Sequence, residues 1–126
     1  MSRSPIAVRS ISDAEAAVVE RALSVAATDT SAKALIPQVH TLQVVGRCEC
    51  GCASIDFRMP AQGQIARIVA DAVAQAADGD RLGVIVWALD EHLSGLEIYS
   101  CSDRPAPLPV VASIVGYDSS GDTNAA

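Results

Sequence analysis

Val18, Val19, Ala22, Leu23 and Ala26 recur at the spacing of one helix face, just behind Ser12-Asp13-Ala14-Glu15. That tetrapeptide has the form of a capping box. The Ser12 hydroxyl can accept the Glu15 amide proton while the Glu15 carboxylate reaches back to the Ser12 amide. A helix over about 12–27 is therefore predicted. Thr28-Asp29-Thr30-Ser31 ends it and can cap a second, shorter helix holding Ala34 and Leu35, with Pro37 limiting that helix or lying near its start.

The pattern then changes period. Residues 41–45 are β-branched and apolar, a strand signal. Residues 53–59 alternate, Ile55 and Phe57 against Ser54, Asp56 and Arg58. Gly46 and Gly51 permit a bend or bulge between the two. This predicts a β-hairpin over 41–59 with cysteines at its bend. Residues 82–89 read as a buried strand, Asp90-Glu91-His92 as a turn and 93–100 as the returning strand. Between the hairpins, Ile65, Ile68, Val69, Ala72, Val73 and Ala76 fit a helix by spacing, and alanine favours it. An extended segment before the turn Asp78-Gly79-Asp80 is the alternative. Pro105, Pro107 and Pro109 cannot continue a ladder and predict an extended edge or wrapping loop.

These elements predict an α+β fold, with one or two N-terminal helices packed on an antiparallel sheet built from two β-hairpins. Residues 1–115 are expected to form one domain, and 116–126, small and polar, a disordered tail. With 126 residues, half of them hydrophobic, the chain can bury a core without disulfides. Phe57, Trp87, Tyr99 and Tyr117 are its only aromatics, so stacking platforms for bases or sugars are few.

Charge narrows the partners. Seven basic side chains nearly balance six acids over residues 1–67, whereas residues 68–126 carry two against nine, and the net charge is −6. That field repels nucleic acid and attracts cationic proteins, although it also serves solubility alone. No apolar run is long enough for a secretory signal or a membrane span, so a bacterial-type cytoplasm, with reduced thiols, is expected.

Cys48, Cys50 and Cys52 fall at alternate positions, and Cys101 follows the second hairpin. Three readings stay open: small reduced residues packed in a sheet, four thiolates around zinc, or a disulfide. The one-residue spacers argue against the usual zinc geometry, and the compartment argues against a disulfide. A cysteine nucleophile would need a base. Only His40 and His92 are available, and neither is placed by spacing beside a cysteine. There is no glycine-rich phosphate loop or nucleophile elbow, and the carboxylates lack the spacing of a calcium loop.

The segments Val44-Val45-Gly46-Arg47-Cys48-Glu49-Cys50-Gly51-Cys52 and Leu93-Ser94-Gly95-Leu96-Glu97-Ile98-Tyr99 carry a resemblance. Over roughly residues 40–110 the chain resembles a family of small bacterial proteins of unassigned function. Its members pair a Cys-x-Cys-Gly-Cys segment with a Gly-Leu-Glu-Ile/Val-Tyr strand and a Leu-Pro ending, here Leu108-Pro109. The resemblance implies an extended conformation at Val69-Ala70-Asp71-Ala72. It implies no activity. A looser likeness, in size, acidity and class, is to immunity proteins of contact-dependent toxin systems. It implies a non-enzyme that neutralises a basic, nuclease-type toxin domain by occluding its active site. The candidate partner-binding residues are then Asp71, Asp78, Asp80, Asp90, Glu91, Glu97 and Asp103. The zinc alternative uses Cys48, Cys50, Cys52 and Cys101.

Overall fold

The capping box closes as the sequence predicts. The Glu15 amide donates to Ser12 Oγ at 3.1 Å, and the Ser12 amide donates to Glu15 Oε1 at 3.0 Å. Arg9 then clamps the same carboxylate with both terminal nitrogens at 2.9 Å. Helix α1 runs over Asp13–Ala26 and buries Ala16, Val18, Val19, Ala22 and Leu23. Each large apolar side chain so buried contributes about 1.5–3 kcal/mol.

The computed structural model describes residues 3–117. Helix α2 is a single turn, Thr30–Lys33, capped by the Asp29 carboxylate. Ala34 is its C-cap and Leu35 lies beyond it, so the second helix is shorter than expected and holds neither. Pro37 opens the following 3-10 turn, Ile36–Thr41.

Seven strands follow one another across the sheet in the order β1 (Arg3–Ser10), β2 (Gln43–Cys48), β3 (Ile55–Asp56), β6 (His92–Ser100), β5 (Arg81–Leu89), β4 (Arg67–Gln75) and β7 (Val115–Gly116), each antiparallel to its neighbours. The α+β class and both hairpins, β2–β3 and β5–β6, stand as expected, although β3 keeps only Ile55–Asp56 of the predicted 53–59 strand. The helices pack on one face of the sheet.

Three elements differ from the sequence reading. Residues 67–75 are strand β4, so the extended alternative holds and the helix favoured by spacing does not form. Ala70, Ala72 and Ala74 point to the core and Asp71 and Val73 to the other face, a period of two that the helical spacing of Ile68, Val69, Ala72 and Val73 had masked. Small alanines there let α1 approach the sheet closely. The sequence pattern does not predict strand β1, because Pro5 leaves only Ile6, Ala7 and Val8 as an apolar run there. Pro5 is tolerated because β1 is an edge strand. Gly116, assigned to the tail, belongs to β7 and pairs with Ala72. Tyr117 follows it, and residues 118–126 of that expected tail lie outside the described residues.

Val69, Ala70, Ala72, Ala74, Leu82, Val84, Val86, Leu96 and Ile98 form one core with α1. Among the described residues no helix is long and apolar enough to cross a membrane.

Candidate functional site

Two places gather chemistry. The first is the bend between β2 and β3. Strand β2 ends at Cys48, whose amide donates to the Ser54 carbonyl at 3.3 Å. Gly51 takes a left-handed φ of 91°, which glycine adopts without penalty. The Ala53 amide donates to the Ala106 carbonyl at 2.8 Å and ties the bend to the proline segment. Within this frame the three Sγ atoms of Cys48, Cys50 and Cys52 lie within 4.8 Å of one another. Cys48 Sγ and Cys50 Sγ are 2.8 Å apart, and the Cys52 amide donates to Cys50 Sγ at 3.4 Å.

All four cysteines are free. Cys48 is buried, Cys52 half-buried and Cys50 exposed. Burial, reinforced by the hydrogen bond with Cys50, pushes the Cys48 thiol up to about 11. The same hydrogen bond, with a second from Cys52, holds the Cys50 thiol down to about 7. The exposed Cys50 is thus more ready to lose its proton than the buried Cys48.

The cluster is smaller than the predicted quartet. Cys101 stands outside it, exposed at the end of β6. It lines an open groove of about 580 Å³ with Tyr99, Tyr117 and Arg81. Cys101 follows the last residue of β6 and lines that groove instead of joining the three thiols. The histidines do not join the thiols either. His40 faces Glu20 at 3.4 Å, and His92 borders a groove with Gln38 and Phe57.

The second place is the sheet face opposite α1. In β4, β5 and β6, Asp71, Ile85 and Glu97 stand opposite one another in a row. Val73, Gly83 and Tyr99 form the next row, and Ile68, Trp87 and Gly95 another. Val73, Ile85 and Trp87 fall outside the core cluster and stay half-buried, since neither α1 nor α2 packs on them. Trp87 donates its indole N–H to Glu97 Oε1 at 3.1 Å. Asp71 Oδ1 is buried and has no hydrogen-bond partner. The Tyr99 ring covers Gly83, where a Cβ would collide with it. Its hydroxyl lies 3.5 Å from that of Tyr117. That contact, then burial and the charges nearby, pushes the Tyr99 phenol up to about 12.

The seven predicted partner-binding acids do not form one patch. Asp71 and Glu97 share the open face. Asp78 and Asp80 flank Gly79 in the β4–β5 turn, where Arg104 approaches them at 3.2 and 3.9 Å. Asp80 also accepts from the Ser100 and Ser102 hydroxyls, which hold its carboxyl below the usual range. Asp103 is exposed beside Arg104 in the chain. Asp90 and Glu91 lie in the β5–β6 turn, at the other end of the nine-residue β5, about 30 Å away. Gln64 donates to Asp90 there at 3.0 Å. The roles of Trp87, Tyr99 and Ile85 on the open face were not foreseen, because residues 82–89 are apolar on both faces. A tryptophan within that run is the one signal that pointed to a half-wet surface.

No protein-family model, curated protein or solved structure matches the chain.

Proposed function

We propose that this protein is a non-enzymatic binding module that docks a basic protein domain on the open face of its sheet. Asp71 Oδ1 carries the reading. The residue is half-buried at the middle of that face, and its carboxylate, one oxygen of which finds no donor within the protein, is offered to a cation from a partner. Glu97 stands two strands away, about 10 Å across Ile85, and offers a second anionic anchor. Trp87, Tyr99 and Tyr117 supply the aromatic surface in which interface energy concentrates. The net charge of −6 favours a cationic partner over nucleic acid. The concrete form of the proposal is an immunity protein of the bacterial cytoplasm that occludes the active site of a basic, nuclease-type toxin.

The test begins with a native mass spectrum of untagged protein from its own reducing lysate. The co-isolated basic protein, at one-to-one stoichiometry, is then titrated against variants. Asp71→Asn and Glu97→Gln are expected to weaken binding by tenfold or more, and Asp90→Asn with Glu91→Gln by less than twofold. Association slows as salt rises. Co-expression of the wild type, but not of Asp71→Asn, rescues cells from the partner's toxicity. A partner indifferent to both face substitutions overturns the proposal.

A second reading concerns the thiol bend. The convergence of Cys48, Cys50 and Cys52 favours a zinc ion held there, in a compartment that keeps thiols reduced.

A further inference from the structure

We infer that the bend holds its metal through three thiolates only and leaves one coordination position open to an external sulfur ligand, a small thiol. The inference rests on the zinc reading and specifies the form of the site. A tetrahedral zinc–thiolate centre has Zn–S bonds of about 2.3 Å, so its sulfurs stand about 3.8 Å apart. Three sulfurs within 4.8 Å of one another, two of them 2.8 Å apart, reach that arrangement by rotations about χ1 that open the Cys48–Cys50 pair by about 1 Å. Among the described residues no carboxylate, imidazole or fourth thiol completes the set. The group contains Cys48, Cys50 and Cys52 alone, although Glu49 lies between two of them in the chain.

Burial orients the missing position. Cys48 forms the floor, 2% exposed, while Cys50 is exposed and Cys52 half-buried. The vacant corner of the tetrahedron therefore faces solvent at the Cys50 side. Closed structural sites use four protein ligands, whereas sites with three keep a position for water or an added ligand. Zinc bound to three thiolates prefers soft ligands, so a thiolate replaces water there. The exchange is a ligand substitution: the incoming thiol loses its proton to solvent, one Zn–S bond forms, one Zn–O bond to water breaks, and no redox change occurs.

The experiment loads the reduced full-length chain with Co2+, a spectroscopic substitute for zinc, and follows sulfur-to-metal charge transfer and the d–d bands. One Co2+ per chain is expected. Cys101→Ser leaves stoichiometry and spectrum unchanged, and any one of Cys48→Ser, Cys50→Ser or Cys52→Ser weakens Co2+ binding by tenfold or more. Added 2-mercaptoethanol shifts the d–d bands in a saturable way. A spectrum altered by Cys101→Ser, or indifferent to 2-mercaptoethanol, overturns the open position while leaving a metal site standing. A chain that binds neither Co2+ nor Zn2+ overturns the zinc reading itself. Circular dichroism of the serine variants separates lost ligands from lost fold.

Discussion

The Ser54 side chain takes the place of a strand neighbour for Ile98. Its hydroxyl accepts the Ile98 amide at 2.8 Å and donates to the Ile98 carbonyl at 3.1 Å, both buried. Strand β3 has only two residues, so β6 would otherwise face an unpaired stretch where the thiol bend joins the sheet. Replacing Ser54 with Ala removes both partners at once and leaves two buried backbone groups without bonds. A loss of about 2–3 kcal/mol is expected, read from the urea midpoint at constant m-value. A loss under about 0.5 kcal/mol would show that water replaces the hydroxyl.

The Arg9–Glu15 clamp predicts an acid-dependent stability. The hydrogen bond from Arg9, above all, holds the Glu15 carboxyl below its ordinary value. Its folded pKa is therefore lower than its unfolded one, about 4.3. The stabilisation is complete above that unfolded value and is lost as pH falls through the folded one. Glu15→Gln is expected to cost about 1 kcal/mol at pH 7 and almost nothing near pH 2. Parallel denaturant titrations at the two pH values decide it, and an equal cost at both refutes the clamp as the cause.

The contrast between α1 and β4 explains which parts of this fold could be read in advance. Ser12 and Glu15 sit three residues apart and close a motif that needs nothing else, so the helix start was visible. Residues 67–75 satisfy helical and strand spacing together, and the choice is made by β5 and α1, which lie outside the segment. Tertiary context overrides alanine's helix propensity there. The cysteine group was legible as a local cluster because its members are two apart. The exclusion of Cys101 was not, since it depends on where β6 ends. The acids were read as one set from charge alone, and the strand register divides them between a face and two turns.

Tyr99 offers a second titration. Its phenol is pushed up to about 12 chiefly by the Tyr117 hydroxyl. The folded pKa exceeds the unfolded one, so the neutral form stabilises the fold fully below about pH 10, and that contribution is lost as pH rises towards 12. Tyr117→Phe is expected to bring the Tyr99 transition, followed by phenolate absorbance, down towards its ordinary range. Gly83→Ala, which displaces the ring from its seat, should do the same. A Tyr99 transition lowered by Gly83→Ala but not by Tyr117→Phe would assign the shift to burial, and one that neither variant moves would refute both causes.

Exposure ranks the thiols for alkylation. In chelator-treated protein, Cys50 and Cys101 should react with iodoacetamide first, Cys52 next, and buried Cys48 only at the rate of local opening. Peptide mapping of short time points gives the order. Saturating Zn2+ should protect Cys50 and Cys52 and leave Cys101 as reactive as before. Equal protection of Cys101 would return it to the cluster.

Asp71 distinguishes a functional carboxylate from a structural one. A residue kept for the fold weakens the fold when it is replaced. Asp71 Oδ1 has no donor within the protein, so its replacement breaks no hydrogen bond of the fold at that atom. Asp71→Asn should therefore change stability by no more than about 0.5 kcal/mol, while partner binding falls by tenfold or more. Glu97→Gln is the control. It keeps an acceptor for the Trp87 indole, so the fold should hold while the second anionic contact is lost. Thermal melts and partner titrations on the same preparations give both quantities. Stability lost together with binding in Asp71→Asn would mean that the carboxylate serves the sheet rather than a partner.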